Sequence, residues 1–332
     1  MRPLRTGVWG VGVWGEKHAR VYQALAESEL VGVHDHDRAR AAAIAAQYGC
    51  RAFETADALL AECEAVSVAT PTVAHLAAVE RALAAGCHVL VEKPMAVTVA
   101  EADAMIAAGV RAGRVLQVGQ VERFNPAVLA ARPFVRAPKF IEAHRLAAFQ
   151  PRSLDIDVVF DLMIHDLDLV LHLTGKTPVQ LSAVGVAVLS SNEDIANARL
   201  EFDDGCVANL TASRVSVERL RRIRFFQGDA YISVDLFAKS GEAFVIKDPG
   251  SFRPGHADPL ALMAGIKRHT LEIPQGEPLT LELTAFLRSL NGEGAGAASA
   301  RAGRDALAIA QQVRDAMKRR AEQWKLEPRP AS

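Results

Sequence analysis

The sequence is poor in cysteine and has no long apolar run. Its 332 residues include four cysteines, whose spacing is neither that of a metal site nor that of a C-x-x-C redox motif: Cys50, Cys63, Cys87 and Cys206. We therefore expect reduced thiols in a cytoplasmic protein. No apolar stretch approaches the roughly 18 residues of a transmembrane helix, and no apolar signal region precedes the first predicted strand. The composition thus predicts neither a membrane protein nor a secreted one.

A strong charge of one sign is also missing. The chain carries 38 lysines and arginines against 39 aspartates and glutamates, so its formal net charge is −1. Such a balance provides no overall field for nucleic acid or an anionic membrane, and we expect neither as a partner. Half of the residues are apolar and 23% are charged, which is typical of a globular protein, and the length suffices for two domains.

The sequence does contain a glycine-rich turn between a strand and a helix. Gly10, Gly12 and Gly15 have the spacing G-x-G-x-x-G, after an apolar strand at 7–9 and before a helical pattern over 16–26. In a nucleotide-binding turn such glycines permit a tight turn, a close approach of the backbone to a pyrophosphate, and close packing of helix on strand. The free N–H groups at the start of the helix then attract phosphate. A surface turn of the same composition is the alternative.

An acidic residue follows at the distance expected for a ribose-binding carboxylate. The second predicted strand, 30–34, ends in Asp35, about 20 residues beyond the glycines. A carboxylate there accepts hydrogen bonds from the ribose hydroxyls and repels a 2′-phosphate, so the sequence favours NAD over NADP as the cofactor. Arg38 lies near enough to weaken this preference.

Strands and helices alternate through the first 120 residues, which predicts a parallel Rossmann sheet. Ligands of such sheets bind at the carboxyl ends of the strands. Lys93 alone is ambiguous, because a loop lysine before a proline is as often solvated as functional. The residues at the predicted strand ends are candidates for binding the cofactor: Gly10, Gly12, Gly15, Asp35, Thr70, Pro71, Glu92, Lys93 and Gln120.

Four segments together form the pattern of a known family. They are the glycine turn followed by His18, V-G-V-x-D at 31–35, A-T-P-T-x-x-H at 69–75 and A-G-C-H-V-L-V-E-K-P at 85–94. They resemble the glucose–fructose oxidoreductase/inositol dehydrogenase/MocA (Gfo/Idh/MocA) family. The resemblance implies an N-terminal Rossmann domain and a C-terminal α/β domain with a large, mostly antiparallel open sheet. It also implies hydride transfer between NAD(P) and a secondary alcohol of a sugar or polyol. His75 would then lie among the cofactor-binding residues, and Lys93 would bind substrate and cofactor and take part in proton transfer.

Beyond residue 120 the pattern changes to consecutive strands. Strands are predicted over 139–149, 179–188, 195–202, 206–212, 223–226 and 231–234, and their turn signals indicate an antiparallel sheet. We assign residues 1–120 to the NAD-binding domain, 121–300 to a substrate and oligomerisation domain, and 301–325 to a terminal helix that packs back on the first domain. A basic run is expected on a strand edge, as a solvated face or a subunit contact: Arg219, Arg221, Arg222 and Arg224.

A helical segment over 157–172 places Asp161 and His165 on one face, four residues apart. An acid one turn from a histidine can orient the ring and support its charged form. The residues alone leave two other interpretations open, a structural hydrogen bond or a metal site completed by Asp168 or His172, although the spacing fixes no third ligand. The family resemblance implies the catalytic interpretation, in which His165 acts as acid or base beside Asp161 and no metal is expected.

A narrower resemblance concerns the substrate. The stretch 118–126 and D-L-M-I-H-D at 161–166 are similar to a subgroup of UDP-sugar 3-dehydrogenases, which oxidise UDP-N-acetylglucosamine. Arg152 would then meet the diphosphate. Alternatives are a free sugar or inositol dehydrogenase, a reductase of the biliverdin or dihydrodiol type that prefers NADPH, and a non-catalytic NAD-binding regulator. The family resemblance further implies a homodimer or homotetramer formed through the open sheet. The substrate contacts expected are Lys93, Arg123, Asn125, Arg152, Asp161 and His165.

Overall fold

The computed structural model describes residues 2–150, 156–247, 265–293 and 298–326. The chain forms two compact units, Met1–Phe124 with Gly276–Ala308 and Asn125–Gln275 with Ile309–Ser332. This division differs from the domain ranges expected from the sequence. Gly276–Ala308 belongs to the first unit, and the terminal helix expected to pack back on that unit is divided, because Ile309–Ser332 belongs to the second. In the described part of the chain no helix is both long enough and apolar enough to cross a membrane.

The elements follow one another in an order that separates the two sheets along the chain. The first unit contains β1 (Leu4–Trp9), α1 (Val13–Ala24), β2 (Ser28–His34), α2 (Arg38–Tyr48), β3 (Arg51–Ala52), α3 (Ala56–Leu60), β4 (Ala65–Val68), α4 (His75–Ala84), β5 (His88–Glu92), α5 (Val99–Ala112) and β6 (Leu116–Gly119). The second contains α6 (Pro126–Ala131), β7 (Phe140–Leu146), α7 (Ile164–Thr174), β8 (Gln180–Val186), β9 (Ile195–Glu201), β10 (Val207–Ser213), β11 (Leu220–Phe226), β12 (Ala230–Asp235), β13 (Ser240–Ile246) and β14 (Ile266–Thr270). The chain then forms α8 (Pro278–Leu290), β15 (Ala298–Ser299) and α9 (Ala300–Leu326).

The first sheet confirms the predicted parallel Rossmann arrangement. Its described strands run in the order β15-β6-β5-β4-β1-β2-β3, and every pair is parallel except the short antiparallel contact of β15 with β6. α8 belongs to this unit because four of its apolar side chains join the cluster that contains Val8 and Tyr22: Leu279, Leu283, Phe286 and Leu287.

Two capping residues fix the ends of helices in this unit. Gly49 ends α2 with φ +63°, a left-handed conformation that suits glycine. The Thr55 hydroxyl accepts a hydrogen bond from the Ala58 N–H and so begins α3.

The second sheet confirms the expected large, mostly antiparallel architecture. Its described strands run β14-β13-β12-β11-β7-β10-β9-β8, and β7 with β10 is the parallel pair among them. β11 lies between β12 and β7, so the arginine run does not occupy an edge strand as expected. β13 and β14 were not predicted, because all of their residues except the buried Ala243 are exposed or half-exposed and give a weak alternating pattern.

Candidate functional site

The glycine turn after β1 has three different local environments. Gly10 has φ +89°, and a Cβ there would lie 2.8 Å from the backbone of Ala69 and Thr70. A Cβ on Gly15 would lie 1.8 Å from the carbonyl oxygen of Gly10, so this glycine permits α1 to pack against the turn. A Cβ on Gly12 would meet no atom within 4 Å. Gly10 and Gly15 are thus required by close contacts within the chain. Gly12 instead leaves open space at the start of α1, and a pyrophosphate fits in that space.

Asp35 lies beside this turn with its carboxylate fixed. The side chain is 5% exposed, and its Oδ2 accepts a 2.7 Å hydrogen bond from the Val11 N–H. Its Oδ1 accepts one from the Asp37 N–H at 2.9 Å, and the exposed His36 ring lies at the same distance. An ionised carboxylate has about four acceptor sites, so these contacts leave room for a ribose hydroxyl. The residues present therefore fit the adenosine half of a dinucleotide.

The segment after β4 is held by a buried histidine. Pro71 precedes a single 3₁₀ turn, Thr72–Ala74, and His75 begins α4 with an exposed fraction of 1%. Its Nε2 faces the Thr70 carbonyl oxygen at 2.8 Å and its Nδ1 faces that of Pro94 at 3.0 Å. Burial lowers the pKa of His75, and a neutral ring can donate to one of these two carbonyls. His75 thus joins the Thr70 segment to the segment after Lys93.

A buried chain of hydrogen bonds ends at the carboxylate beside Lys93. His18 is completely buried; its Nδ1 lies 2.9 Å from the Ser67 Oγ and its Nε2 lies 2.8 Å from the Glu92 Oε1. The Tyr22 hydroxyl lies 2.8 Å from the same serine oxygen, and burial raises the pKa of that phenol. Lys93 is half-buried, and its own N–H donates to the Glu92 Oε2 at 3.3 Å. These contacts fix Glu92 and the backbone from which the lysine extends.

The remaining candidates of the 118–126 stretch occupy different environments. Gln120 is 2% exposed, and its carbonyl accepts from the Arg123 N–H in the 3₁₀ turn Val121–Phe124. Asn125 is 4% exposed; it caps α6 by accepting from the Ala127 N–H and donates to the Leu236 carbonyl. These bonds give Asn125 a structural role within its unit, and its substrate contact stays a prediction. Arg152 lies outside the described residues.

In the second unit, Asp161 and His165 lie where a π-helical turn meets an α-helix. The π turn Val159–Met163 contains Asp161, and α7 begins one residue before His165. Asp157 begins this segment because its carboxylate accepts hydrogen bonds from the N–H groups of Val159 and Phe160. Burial raises the pKa of Asp157. Asp161 and His165 are both half-buried, which keeps both side chains partly accessible.

Two buried arginine–carboxylate pairs fix the surroundings of α7. Arg145 on β7 donates from its Nε and its Nη2 to the two carboxylate oxygens of Asp166, at 2.9 and 2.8 Å, and both residues are less than 5% exposed. Arg214 after β10 donates to Asp194 at 2.8 Å and to the Ile156 carbonyl at 2.7 Å. Burial acts to raise the pKa of Asp194, but its hydrogen bonds with Arg214, Ser190 and backbone N–H groups outweigh this effect and lower the pKa.

A cavity of about 130 Å³ opens in the second unit beside Asp161. Among its described lining residues are three arginines and a single acid. Two of the arginines come from the run that the sequence analysis expected to be a solvated face or a subunit contact. Its polar and apolar walls include Asp161, Arg214, Arg219, Arg221, Leu162 and Phe237.

Several residues in these arrangements were not predicted as site residues. His18 was noticed only as part of a family motif, and nothing in its local sequence indicates a partner 74 positions away. Arg145 and Asp166 lie 21 positions apart, and only the three-dimensional pairing of β7 with α7 joins them. The alternation of side chains between the two faces of a strand is the one sequence signal that could have placed Arg221 on a different face from Arg222.

Comparison with known proteins relates both units to oxidoreductases. A family model described as "Oxidoreductase family, NAD-binding Rossmann fold" matches residues 4–120. A second model, described as "GFO/IDH/MocA C-terminal domain", matches residues 128–231. The two matches fall on the glycine turn and Lys93 in one case, and on Asp161, His165 and Arg221 in the other.

Individual relatives cover nearly the whole chain. The chain is 44% identical to UDP-N-acetylglucosamine 3-dehydrogenase from Acidithiobacillus ferrooxidans over 315 residues, which are 95% of this chain and 97% of that protein. A solved structure of the enzyme of that name from the same species has a TM-score of 0.85 and 42% identity, and it covers 95% of this chain and 98% of that one. Inositol 2-dehydrogenase from Rhizobium meliloti is 30% identical over 63% of this chain and 66% of that protein.

Proposed function

Because the chain belongs to the Gfo/Idh/MocA family of NAD-binding oxidoreductases, we propose that it oxidises the 3-hydroxyl of UDP-N-acetylglucosamine. The observation that carries this proposal is the 44% identity to a UDP-N-acetylglucosamine 3-dehydrogenase over 95% of the chain. An inositol dehydrogenase with 30% identity over 63% of the chain is the less similar alternative. The product is the 3-keto nucleotide sugar.

NAD is the proposed cofactor, in preference to NADP. The fixed Asp35 carboxylate accepts from the Val11 and Asp37 N–H groups and supplies a negative charge where the 2′-position of the adenosine ribose would bind. A 2′-phosphate would be repelled there. Gly10, Gly12 and Gly15 would hold the pyrophosphate at the start of α1, with Thr70, Pro71, His75, Glu92, Lys93 and Gln120 around the rest of the molecule. When bound, NAD supplies the hydride acceptor.

The chain's own part of the reaction is to bind the sugar and remove a proton. Lys93 or His165 accepts the proton of the 3-hydroxyl while hydride leaves the same carbon. Glu92 fixes the backbone at Lys93 through the 3.3 Å bond to its N–H, and Asp161 lies one turn before His165. Arg123, Asn125 and Arg152 are the further substrate contacts proposed from the sequence.

The assembly and location of the enzyme are also proposals. Copies of the chain would associate as a homodimer or homotetramer through the open face of the second sheet, which carries the side chains opposite to α7. A substrate made and used as a nucleotide sugar fits a cytoplasmic enzyme. Neither nucleic acid nor a membrane is needed by this chemistry.

The test is the reduction of the cofactor, NAD to NADH or NADP to NADPH, followed by absorbance. UDP-N-acetylglucosamine, free N-acetylglucosamine, glucose and myo-inositol are compared, and an aminotransferase with its amino donor is added to remove the keto product. Turnover with the UDP-sugar and NAD is the expected result. Turnover with the free polyols alone would assign the chain to the inositol-type activity. Tight NAD binding without any turnover would favour a non-catalytic regulator.

A further inference from the structure

The buried hydrogen bonds that end at Glu92 have one consistent direction, which begins at a tyrosine. The hydroxyl of Tyr22 lies 2.8 Å from the Ser67 Oγ, its one hydrogen-bond partner among the described residues, and both residues are completely buried. Burial and, to a smaller extent, the Glu282 carboxylate raise the pKa of Tyr22, so the phenol keeps its proton. Tyr22 is therefore the donor of this bond, and the Ser67 oxygen is the acceptor.

This direction determines which nitrogen of the His18 ring carries a proton. The His18 Nδ1 lies 2.9 Å from the Ser67 Oγ, and these two neighbours are the hydrogen-bond partners of that oxygen within the described ranges. If Nδ1 also donated to the serine, the buried serine proton would have no acceptor, at the cost of an unmade hydrogen bond. Ser67 therefore donates to Nδ1, and the ring is neutral with its proton on Nε2. The Nε2–H donates to the Glu92 Oε1 at 2.8 Å.

The Glu92 carboxylate is fixed from three sides. Its Oε1 accepts from His18, and its Oε2 accepts from the Lys93 N–H at 3.3 Å. Glu92 pairs in register with Gly119 on the neighbouring strand, and a Cβ on Gly119 would lie only 2.9 Å from the Glu92 Oε1. The carboxylate thus occupies the space that the absent side chain leaves. His18 and Gly119 together determine where the second oxygen points.

This arrangement lies where the parallel sheet binds its ligands. Glu92 and Gly119 are the last residues of β5 and β6, and Lys93, the candidate base, follows Glu92 directly. Proton transfer depends on the position of the reacting group, since a displacement of about 1 Å can lower a rate about 10²-fold. A bond to the Lys93 N–H fixes the peptide from which the lysine side chain extends, so the orientation of Glu92 bears on the chemistry.

Building on the proposed function, we infer that His18 and Gly119 are positioning residues for proton transfer at Lys93. His18 binds one oxygen of Glu92 through its Nε2–H, and Gly119 leaves the room that this oxygen needs. The other oxygen then holds the Lys93 peptide N–H. Tyr22 and Ser67 contribute by keeping the proton of His18 on Nε2. Both positioning residues act through Glu92.

The kinetic test uses three substitutions that differ in what they do to Glu92. The side chain of His18→Asn is too short to donate to Oε1, whereas His18→Gln keeps an N–H near the position of Nε2. Gly119→Ala pushes on the same oxygen without changing the histidine, so it tests the inference even if His18→Asn does not fold. We expect His18→Asn and Gly119→Ala each to lower kcat about 10–100-fold while the Kd for NAD of His18→Asn stays within about threefold of the parent.

Two further kinetic results are expected from a positioning role. His18→Gln should recover most of the lost kcat, because the donor to Glu92 is restored. The double variant with His18→Asn and Gly119→Ala should be no slower than the slower single variant, because both changes disturb one carboxylate. A product of the two single losses would overturn the inference, and so would equal losses in the glutamine and asparagine variants of His18.

Two NMR measurements on the protein without cofactor or substrate do not depend on turnover. The ring nitrogen shifts of His18 should show a neutral ring protonated on Nε2, and protonation on Nδ1 would overturn the inference. The Lys93 amide proton should exchange with solvent about tenfold or more faster in His18→Asn and Gly119→Ala, the effect of losing a hydrogen bond to a charged group.

His88→Asn is the matched control for both kinds of measurement. His88 begins the same strand that Glu92 ends, and its Nδ1 accepts from the Val115 N–H at the opposite edge of the sheet. Its substitution should leave kcat and the exchange of the Lys93 amide within about twofold of the parent, as is usual for a change outside the site. Effects as large as those of His18→Asn would overturn the inference.

The outcomes separate this inference from the proposed function. Faster exchange of the Lys93 amide in both variants, with no turnover of any tested sugar by the parent, would support the hold of His18 and Gly119 on Lys93 and overturn the proposed reaction. Turnover of the UDP-sugar by the parent, with kcat and amide exchange unchanged in His18→Asn and Gly119→Ala, would keep the reaction and overturn the positioning role.

Discussion

In the first unit, backbone contacts and a chain of buried side-chain hydrogen bonds hold the candidate site, whereas in the second unit buried arginine–carboxylate pairs hold it. The Gly10 φ angle and the Val11 bond to Asp35 are local features of one turn. Arg145 with Asp166 and Arg214 with Asp194 instead join separate elements. In the first unit, backbone N–H groups face the space for a ligand. In the second unit, charged side chains surround the candidate site. This contrast suits the proposed function, in which the glycine turn binds the phosphates of the cofactor and Asp161, at the charged cavity, contacts the substrate.

The largest effect is expected at the two candidate bases, one in each unit. Lys93→Met should lower kcat by about 10³-fold or more if the lysine transfers the proton, because general acid–base catalysis contributes up to about 10⁴-fold. The dissociation constant for NAD, measured by fluorescence titration, should change only a few-fold. His165→Asn is measured beside it. The variant that loses the acid limb of the pH profile of kcat/KM has lost the base.

Lys139→Met is the matched control for this experiment. Lys139 is exposed and donates to the Asp204 carbonyl, so its loss should leave kcat within about twofold of the parent. A Lys93→Met enzyme within tenfold of the parent would contradict a role for that lysine in proton transfer.

The second-largest effect is expected at the buried pair of Arg145 and Asp166, which joins β7 to α7. Arg145→Met leaves Asp166 buried without its cation, which typically costs about 3–5 kcal/mol of the free energy of unfolding. Replacing both residues with apolar ones should cost clearly less than either single change, since no charge is then left unpaired. Urea denaturation measures each variant.

Arg268→Met provides the exposed comparison, because its pair with Glu242 lies at the surface and such pairs contribute about 1 kcal/mol or less. If the Arg145 and Arg268 substitutions proved equally mild, the second unit would not depend on its buried charges.

The contrast between the units also explains what could be predicted from the sequence. The parallel sheet and the glycine turn depend on residues close together in the chain, where periodicity and spacing are readable. The pair of Arg145 and Asp166 joins residues that lie 21 positions apart, and the contact of His18 with Glu92 joins residues 74 positions apart. A single sequence contains no signal for either pairing. The family pattern marked His18 but not its function.

The arginine run shows the same limit within a single strand. The sequence identifies its four arginines as one group. Three of them lie on β11, and the face to which each points depends on the register of β11 against β7. A shift of one residue would exchange the faces. Charge patterning thus identified the segment, and only the pairing of strands identified which of its members line the cavity.

A third prediction separates the two kinds of glycine in the turn of the first unit. Gly15→Ala should lower the free energy of unfolding by about 1–3 kcal/mol, because its Cβ would lie 1.8 Å from the Gly10 carbonyl oxygen. Gly12→Ala has open space and should leave the melting temperature nearly unchanged while raising the Kd for NAD. Thermal unfolding and NAD titration are run on both. A Gly12→Ala protein with unaltered NAD affinity would exclude the pyrophosphate from this position.

The smallest effect is expected at an exposed arginine–carboxylate pair of the first unit. The hydrogen bond from Arg2 lowers the pKa of Glu64 to about 2, below the value near 4.3 of an unfolded chain. A lowered pKa stabilises the folded state above the unfolded value, and this stability is lost as the pH falls from about 4.5 to about 2. Glu64→Gln should therefore lower the free energy of unfolding by no more than about 1 kcal/mol at pH 7, and the difference from the parent should shrink toward pH 2. Denaturant unfolding at several pH values measures this difference. If the difference in the free energy of unfolding did not change with pH, the side-chain amide and not the lost charge would cause it. The ion pair would then not contribute to the stability of the first unit.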